Sequence, residues 1–108
     1  GGGWFDELML PRDDYREDYK WTLIDNKLYK DGEFVANIQT NMIEKGNGMF
    51  GGSTDEYRAR LFEFNSDLSN LTDGTYMFDY CSYLKSFNVD LSSLSNGSGM
   101  FFGCSNLT

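Results

Sequence analysis

The sequence predicts an α+β unit at the N-terminus followed by a β-solenoid built from 23-residue coils. Two observations carry this prediction. Residues 1–63 hold most of the charged side chains, whereas residues 64–108 are rich in Ser, Asn, Gly and Leu. The second segment also repeats itself with a period of 23 residues, and a fixed period of this length is typical of units that bury their apolar faces on their neighbours.

The N-terminal unit is expected to cap or attach the array, and it contains three local signals. Pro11 stands at a suitable first helical position before several acidic residues, which predicts a short helix. The segment KDGE at residues 30–33 lies between apolar residues and predicts a β-hairpin on an Asp-Gly turn. Ser53 and Glu56 form a capping box, which predicts a second short helix with Leu61 on its apolar face.

The internal repeat is clear when Phe64 is aligned with Phe87. Of the 22 aligned positions, 12 are identical, and they include the signatures DLS, MF and CS. We call residues 64–86 the first repeat and residues 87–108 the second repeat. A degenerate repeat precedes them at residues 43–50, where Ile, Gly, Met and Phe keep the same spacing. An array of this kind is expected to continue with further repeats.

Each repeat is too short for two packed helices, and its apolar residues fall about three apart. This favours short extended pieces joined by turns, with equivalent residues stacked about 4.8 Å apart: Met on Met, Phe on Phe, Cys on Cys. Stacked side chains point parallel to one another, so Cys81 and Cys104 are expected to stay free thiols. The residues expected to form the repeat core are Leu68, Leu71, Met77, Phe78, Cys81, Leu84, Phe87, Leu91, Leu94, Met100, Phe101, Cys104 and Leu107.

Three Asn-x-Ser/Thr sequons begin at Asn70, Asn96 and Asn106. In a secreted eukaryotic protein such sites accept glycans. Here they recur with the repeat, and Asn is favoured in turns because it tolerates positive φ. We therefore interpret them as turn chemistry.

The stretches DLSNLTDGTYMFDYCSYLKSF and DLSSLSNGSGMFFGCSNLT resemble the BspA-like family of leucine-rich repeats, also described as bacterial surface protein repeats. The resemblance covers about residues 64–108, with weaker support from residues 43–50. It implies a leucine-rich-repeat solenoid without catalytic residues. Such repeats occur in large surface proteins of gut and oral bacteria, in some parasitic protists and in phage-encoded proteins, and the implied role is adhesion or protein–protein contact.

Composition excludes several other classes of function. A net charge of −8 disfavours nucleic acid and anionic membrane surfaces as partners, and no apolar run is long enough for direct membrane insertion. The absence of His removes imidazole metal sites and His-based catalysis. Acidic residues at 13–18 are interleaved with basic ones, which favours a solvated face, and residues 25–34 have Lys and Tyr where a calcium loop needs oxygen ligands. We therefore predict no enzyme activity, catalytic residue, cofactor or metal.

The sequence thus predicts a structural or interaction protein that projects from a phage particle, as a decoration, fibre or other virion protein. The alternative is a bacterial cell-surface adhesin that binds host proteins or neighbouring cells. Both place the protein on a virion or in the extracellular, cell-surface setting, with proteins as partners. An open edge of the array would also allow self-association. The predicted contact face consists of aromatic residues at variable repeat positions, namely Tyr76, Tyr80, Tyr83 and Phe102.

Overall fold

The computed structural model describes residues 20–51 and 60–108. They form one five-stranded mixed sheet with the strand order β3-β2-β1-β4-β5. The strands β1 to β3 are antiparallel, whereas β1, β4 and β5 are parallel. The strand bounds are Trp21–Ile24 for β1, Lys27–Lys30 for β2, Glu33–Asn37 for β3, Leu61–Asn65 for β4 and Ser86–Phe87 for β5. A single 3-10 turn spans Thr40–Met42 in this part of the chain.

Two tight turns join the antiparallel strands. The predicted hairpin is confirmed: β2 and β3 meet at Asp31 and Gly32, which have φ values of 50° and 82°. Asp25 and Asn26, with φ values of 50° and 65°, make an equivalent turn between β1 and β2. Positive φ at both central residues suits the right-handed twist of a two-residue hairpin.

The parallel part of the sheet joins the hairpins to the repeats. Leu23 of β1 pairs with Phe64 of β4, which in turn pairs with Phe87 of β5. Beyond the strands, the Gly46 amide donates to the Asp73 carbonyl and the Gly74 amide donates to the Asn96 carbonyl, each at 2.8 Å. Equivalent positions of the degenerate, first and second repeats therefore lie side by side in register.

The predicted fold class, an α+β unit followed by a β-solenoid of the BspA-like leucine-rich-repeat type, is wrong. The described residues form a single mixed sheet with almost no helix, and that sheet is neither closed nor curled. The reason is that β4 uses one edge for β1 and the other for β5. The hairpins and the repeats are consequently parts of one sheet rather than a cap and a coil.

The two predicted helices lie largely outside the part of the chain that the structure describes. The helix expected from Pro11 lies outside the described residues, as does most of the helix expected from Ser53. Leu61, expected on a helix face, is instead the first residue of β4 and is fully buried. Leu61, Phe62 and Phe64 are large apolar residues, two of them aromatic, and aromatic residues are enriched in strands.

Aromatic rings dominate the core. Phe50, Phe78 and Phe101 stack in one column with centroid distances of 5.5 and 5.7 Å, and Phe64 and Phe87 stack in a second column at 5.7 Å. The two columns interlock edge to face at 4.9–5.4 Å, a geometry that aromatic pairs favour. The expectation that Phe stacks on Phe is confirmed.

Burial of the predicted core residues falls from the first repeat to the second. Those of the first repeat are buried, as is Met100. The others are partly buried and pack against the same core. The buried set is Leu68, Leu71, Met77, Phe78, Cys81, Leu84 and Met100; the partly buried set is Phe87, Leu91, Leu94, Phe101, Cys104 and Leu107.

The polar signature residues of the repeats stabilise turns and form hydrogen bonds between neighbouring segments. Asp67 accepts the Ser69 amide at 2.7 Å, and Asn96 accepts the Ser98 amide at 3.1 Å, so side chains hold the turn two residues ahead. The interpretation of Asn96 as turn chemistry is thus confirmed. Asn70 and Asn106 differ, because each donates its side-chain amide to a backbone carbonyl of a neighbouring segment, Asn41 and Ser82 respectively.

Candidate interaction surface

Two tyrosines of the first repeat adopt a backbone conformation that favours glycine. Tyr76 has φ 53° and Tyr80 has φ 57°. At the equivalent positions of the second repeat stand Gly99 and Gly103, with φ values of 63° and 79°. The repeat backbone therefore requires the left-handed region at both positions, and a side chain there costs about 1–2 kcal/mol.

The rings of these tyrosines lie over the glycines of the second repeat. A Cβ placed on Gly99 would collide with the ring of Tyr76, and one on Gly103 would come within 2.7 Å of Tyr80 Cδ1. The Tyr76 and Tyr80 amides also donate to the Ser98 and Phe102 carbonyls of the second repeat. Both tyrosines are therefore held in place by the backbone beneath them.

Phe102 is a third exposed aromatic residue near these positions. Its ring meets Tyr80 edge to face with a centroid distance of 5.4 Å. Tyr76, Tyr80 and Phe102 are 52%, 37% and 57% exposed. We call these three residues the aromatic face. Three large rings held on hydrogen-bonded backbone form the kind of apolar surface that marks an interaction site.

Tyr83, the fourth predicted contact residue, belongs to a different cluster. Its ring stacks on Phe62 at 5.3 Å, and the Arg60 guanidinium lies 4.4 Å from its centroid. Lys20 contacts the Phe62 ring from the N-terminal side at 5.2 Å. Tyr83 therefore packs against β4, whereas Tyr80 and Phe102 are in ring contact and Tyr76 lies over Gly99.

The carboxylates near this region have different environments. Burial raises the pKa of Asp79, whose carboxylate packs against Gly51. Hydrogen bonds from the Thr75 hydroxyl and amide, followed by one from Asn47, lower the pKa of Asp73. Asp73 is thus a structural acceptor, and Asp79 is the carboxylate adjacent in sequence to the aromatic face.

Both cysteine thiols form hydrogen bonds to backbone carbonyls in or beside the core. Cys81 and Cys104 are free, as predicted. They donate to the carbonyls of Phe50 and Phe78 at 3.2 and 3.1 Å. Burial raises the pKa of Cys104, so its thiol stays protonated and is a poor nucleophile. Within residues 20–51 and 60–108, no group of three or more metal-ligating side chains comes together.

Sequence reasoning missed a second set of exposed apolar residues. Phe34 and Val35 project from β3, and Met42 is exposed beside a hollow of about 400 Å³ that Ile43 and Met49 also line. The adjacent Phe-Val pair after the Asp-Gly turn was the available signal for β3. β3 is the outermost strand on its side of the sheet, and four of its five residues are exposed.

Comparison with known proteins adds no relative. No family model matches the chain, and neither the curated proteins nor the solved structures contain a match. Among the helices of the described residues, none has the length and apolar character needed to cross a membrane.

Proposed function

We propose that this chain is a non-enzymatic interaction protein that binds a protein partner through the aromatic face. The observation that carries the proposal is the conformation of Tyr76 and Tyr80. Two bulky side chains occupy positive-φ positions where the next repeat has glycine, although both rings remain substantially exposed. Strained residues of this kind concentrate at functional sites.

The composition of the face suits a protein partner. Tyrosine and phenylalanine provide large contact area with few rotatable bonds, and tyrosine is among the residues enriched at binding hot spots. The hydroxyl groups of Tyr76 and Tyr80 add polar contacts at the rim. The charge nearest in sequence is the carboxylate of Asp79, so the face suits a partner surface that combines apolar and basic side chains.

A photo-cross-linking experiment tests this proposal. A benzophenone analogue of phenylalanine replaces Phe102, and the protein is incubated with particles or cells from its native source. The matched control carries the same analogue at Phe34, which is 54% exposed but lies on β3. We expect one discrete protein adduct from position 102 and none from position 34. No adduct, or equal adducts from both positions, would contradict the proposal.

The resemblance to BspA-like repeats suggests where the protein acts. We propose a phage particle as the site of this interaction, with a bacterial cell surface as the alternative that the same resemblance implies. Fractionation of the native source separates the two, because a virion protein sediments with purified particles and resists removal by washing. Recovery with the cell envelope from particle-free cultures would instead support the adhesin.

A further inference from the structure

Two buried hydroxyl groups lie where the hairpins meet the repeats. Thr40 begins the 3-10 turn that leads into the degenerate repeat, and Ser66 follows β4 in the first repeat. They are the two buried polar residues in the described ranges 20–51 and 60–108. Their hydroxyl oxygens lie 2.6 Å apart, and the Thr40 hydroxyl lies 2.7 Å from the Asp67 carbonyl oxygen. This pair of hydroxyl groups therefore belongs to the repeat side of the sheet.

Asn26 connects the hairpins to this pair. It is the second central residue of the turn between β1 and β2. Its side-chain oxygen accepts the Thr40 amide at 2.9 Å and lies 2.9 Å from the Thr40 hydroxyl. Its own amide donates to the Ser66 hydroxyl at 2.8 Å. We call Asn26, Thr40 and Ser66 the polar cluster, and it joins three segments that lie 14 to 40 residues apart in the chain.

Apolar packing by itself permits two alignments of β1 on β4. In the observed alignment Trp21 lies opposite Leu61, and Leu23 lies opposite Phe64. Because side chains alternate between the two faces of a strand, sliding β1 by two residues keeps every side chain on its own face. Leu23 would then lie opposite Leu61, again with apolar side chains in contact. Hydrophobic attraction is non-directional, so it distinguishes poorly between these two alignments.

The polar cluster does distinguish the two alignments. Sliding β1 by two residues moves Asn26 about 7 Å along the sheet. The Thr40 amide and the Ser66 hydroxyl then lose their contacts with Asn26, although both residues stay in a buried site. A buried polar group without a hydrogen-bond partner is costly. Of the two alignments, only the observed one satisfies both groups.

We propose that the polar cluster specifies the register of β1 on β4 and so fixes the position of the hairpins on the repeats. In other folds a single buried polar residue specifies register at a cost in stability. Here the contact of Leu23 with Phe64 supplies the attraction between the strands, and the polar cluster supplies the specificity. The inference does not use the aromatic face, so it stands or fails independently of the proposed function.

Substitution of Asn26 by glycine tests the inference in the 108-residue protein. Glycine readily adopts the φ of 65° found at this position, so Asn26→Gly keeps the turn and removes the side-chain oxygen from the polar cluster. The matched control is Asp25→Gly. It changes the other central residue of the same turn, which has φ 50°, and leaves the polar cluster intact.

The readout is the strand alignment itself, measured by nuclear magnetic resonance on isotope-labelled protein. In the parent and in Asp25→Gly we expect one set of amide resonances, with nuclear Overhauser contacts between Leu23 and Phe64. In Asn26→Gly we expect a second set for β1 and β4, with contacts between Leu23 and Leu61. This second set should represent at least about a tenth of the molecules. A loss of stability alone would not produce it.

Thr40→Val is a second test, because it removes the hydroxyl group from the polar cluster and keeps the shape of the side chain. We expect the same second set of resonances. A single set with the parent contacts in both variants would overturn the inference, since packing alone would then fix the register. A second set in Asp25→Gly would overturn it as well, because the turn would then be responsible. If Asp25→Gly folded but neither Asn26→Gly nor Thr40→Val did, the polar cluster would supply stability rather than register, and the inference would be wrong.

Discussion

At Tyr76 the backbone and the side chain have opposite effects on stability. Replacement by glycine relieves left-handed backbone strain of about 1–2 kcal/mol. It also removes the contact of the ring with Gly99 and raises the conformational entropy of the unfolded chain, and both of these effects destabilise the fold. We therefore expect Tyr76→Gly to change the free energy of unfolding by less than about 1 kcal/mol. Binding to the partner captured at Phe102 should nevertheless fall at least tenfold, as measured by titration.

The control for this prediction is Tyr76→Val. It also removes the ring, but a β-branched residue is especially unfavourable at positive φ. We expect it to destabilise the fold by about 2 kcal/mol more than Tyr76→Gly in urea unfolding. Equal stability of the two variants would show that backbone strain at Tyr76 is not significant.

Asp73 connects pH to stability. Its pKa is lowered by hydrogen bonds from Thr75 and Asn47. A carboxyl with a lowered folded-state pKa stabilises the fold above its unfolded-state pKa, and this contribution is lost as the pH falls through the folded value. Asp67 acts in the same direction because of its hydrogen bonds from Ser69. Asp79 acts in the opposite direction, since burial raises its pKa.

We expect Asp73→Asn to reduce the loss of stability below about pH 4. Asparagine keeps the acceptor oxygen, as Asn96 does at the equivalent position of the second repeat, where it also accepts the amide two residues ahead. Urea midpoints of both proteins between pH 2 and 7 provide the measurement. Identical pH profiles for the two proteins would refute a role for Asp73.

Among the elements, the ladder of repeats depends on glycines that accommodate methionine. Gly46→Ala would place a Cβ 2.8 Å from Met77 Sδ in a buried site, and we expect this overpacking to cost about 1–3 kcal/mol. The matched control is Gly97→Ala, where the nearest atom is a Leu94 methyl at 3.1 Å. We expect it to cost less than about 1 kcal/mol, and similar costs in thermal unfolding would contradict the proposed fit.

Local signals predicted elements well where a few adjacent residues decide the structure. Asp31 and Gly32 suffice for a hairpin, because their tolerance of positive φ is intrinsic. The period of the repeat likewise predicted the stacked phenylalanines. It could not predict that β4 pairs with β1, which lies about forty residues earlier in the chain. That long-range pairing depends on the packing of Leu23 and Phe64 in the same core. It joins the two units that were predicted to be separate into one sheet.

The aromatic face was predictable for the same local reason. Tyr76, Tyr80 and Phe102 occupy repeat positions where stacking does not dictate the residue, so exposure was expected. The glycines at positions 99 and 103 were an additional signal, because they show that the shared backbone needs positive φ. Tyr83 could not be assigned in this way, since its burial depends on Phe62 of β4 and on Arg60, which directly precedes that strand.

For the molecule as a whole, Phe78 joins the two aromatic columns, one of which contains Phe64 of β4, the strand that pairs with β1. Its ring is fully buried and contacts four other phenylalanine rings across both columns. Small domains have about 5–15 kcal/mol of stability, and removing a buried phenylalanine side chain costs about 3–5 kcal/mol. Phe78→Ala therefore removes a large part of the stability of one continuous core.

We expect Phe78→Ala to lower two unfolding midpoints together. Fluorescence reports on β1 through Trp21, in a Trp4→Phe background that removes the other tryptophan, and amide resonances of Leu94 and Met100 report on the second repeat. Phe102→Ala, an exposed ring outside both columns, should leave both midpoints within about 0.5 kcal/mol of the parent. A single shared core unfolds in one cooperative transition. Unfolding of the second repeat while Trp21 kept its native fluorescence would therefore contradict the prediction and show that the repeats are an independent unit.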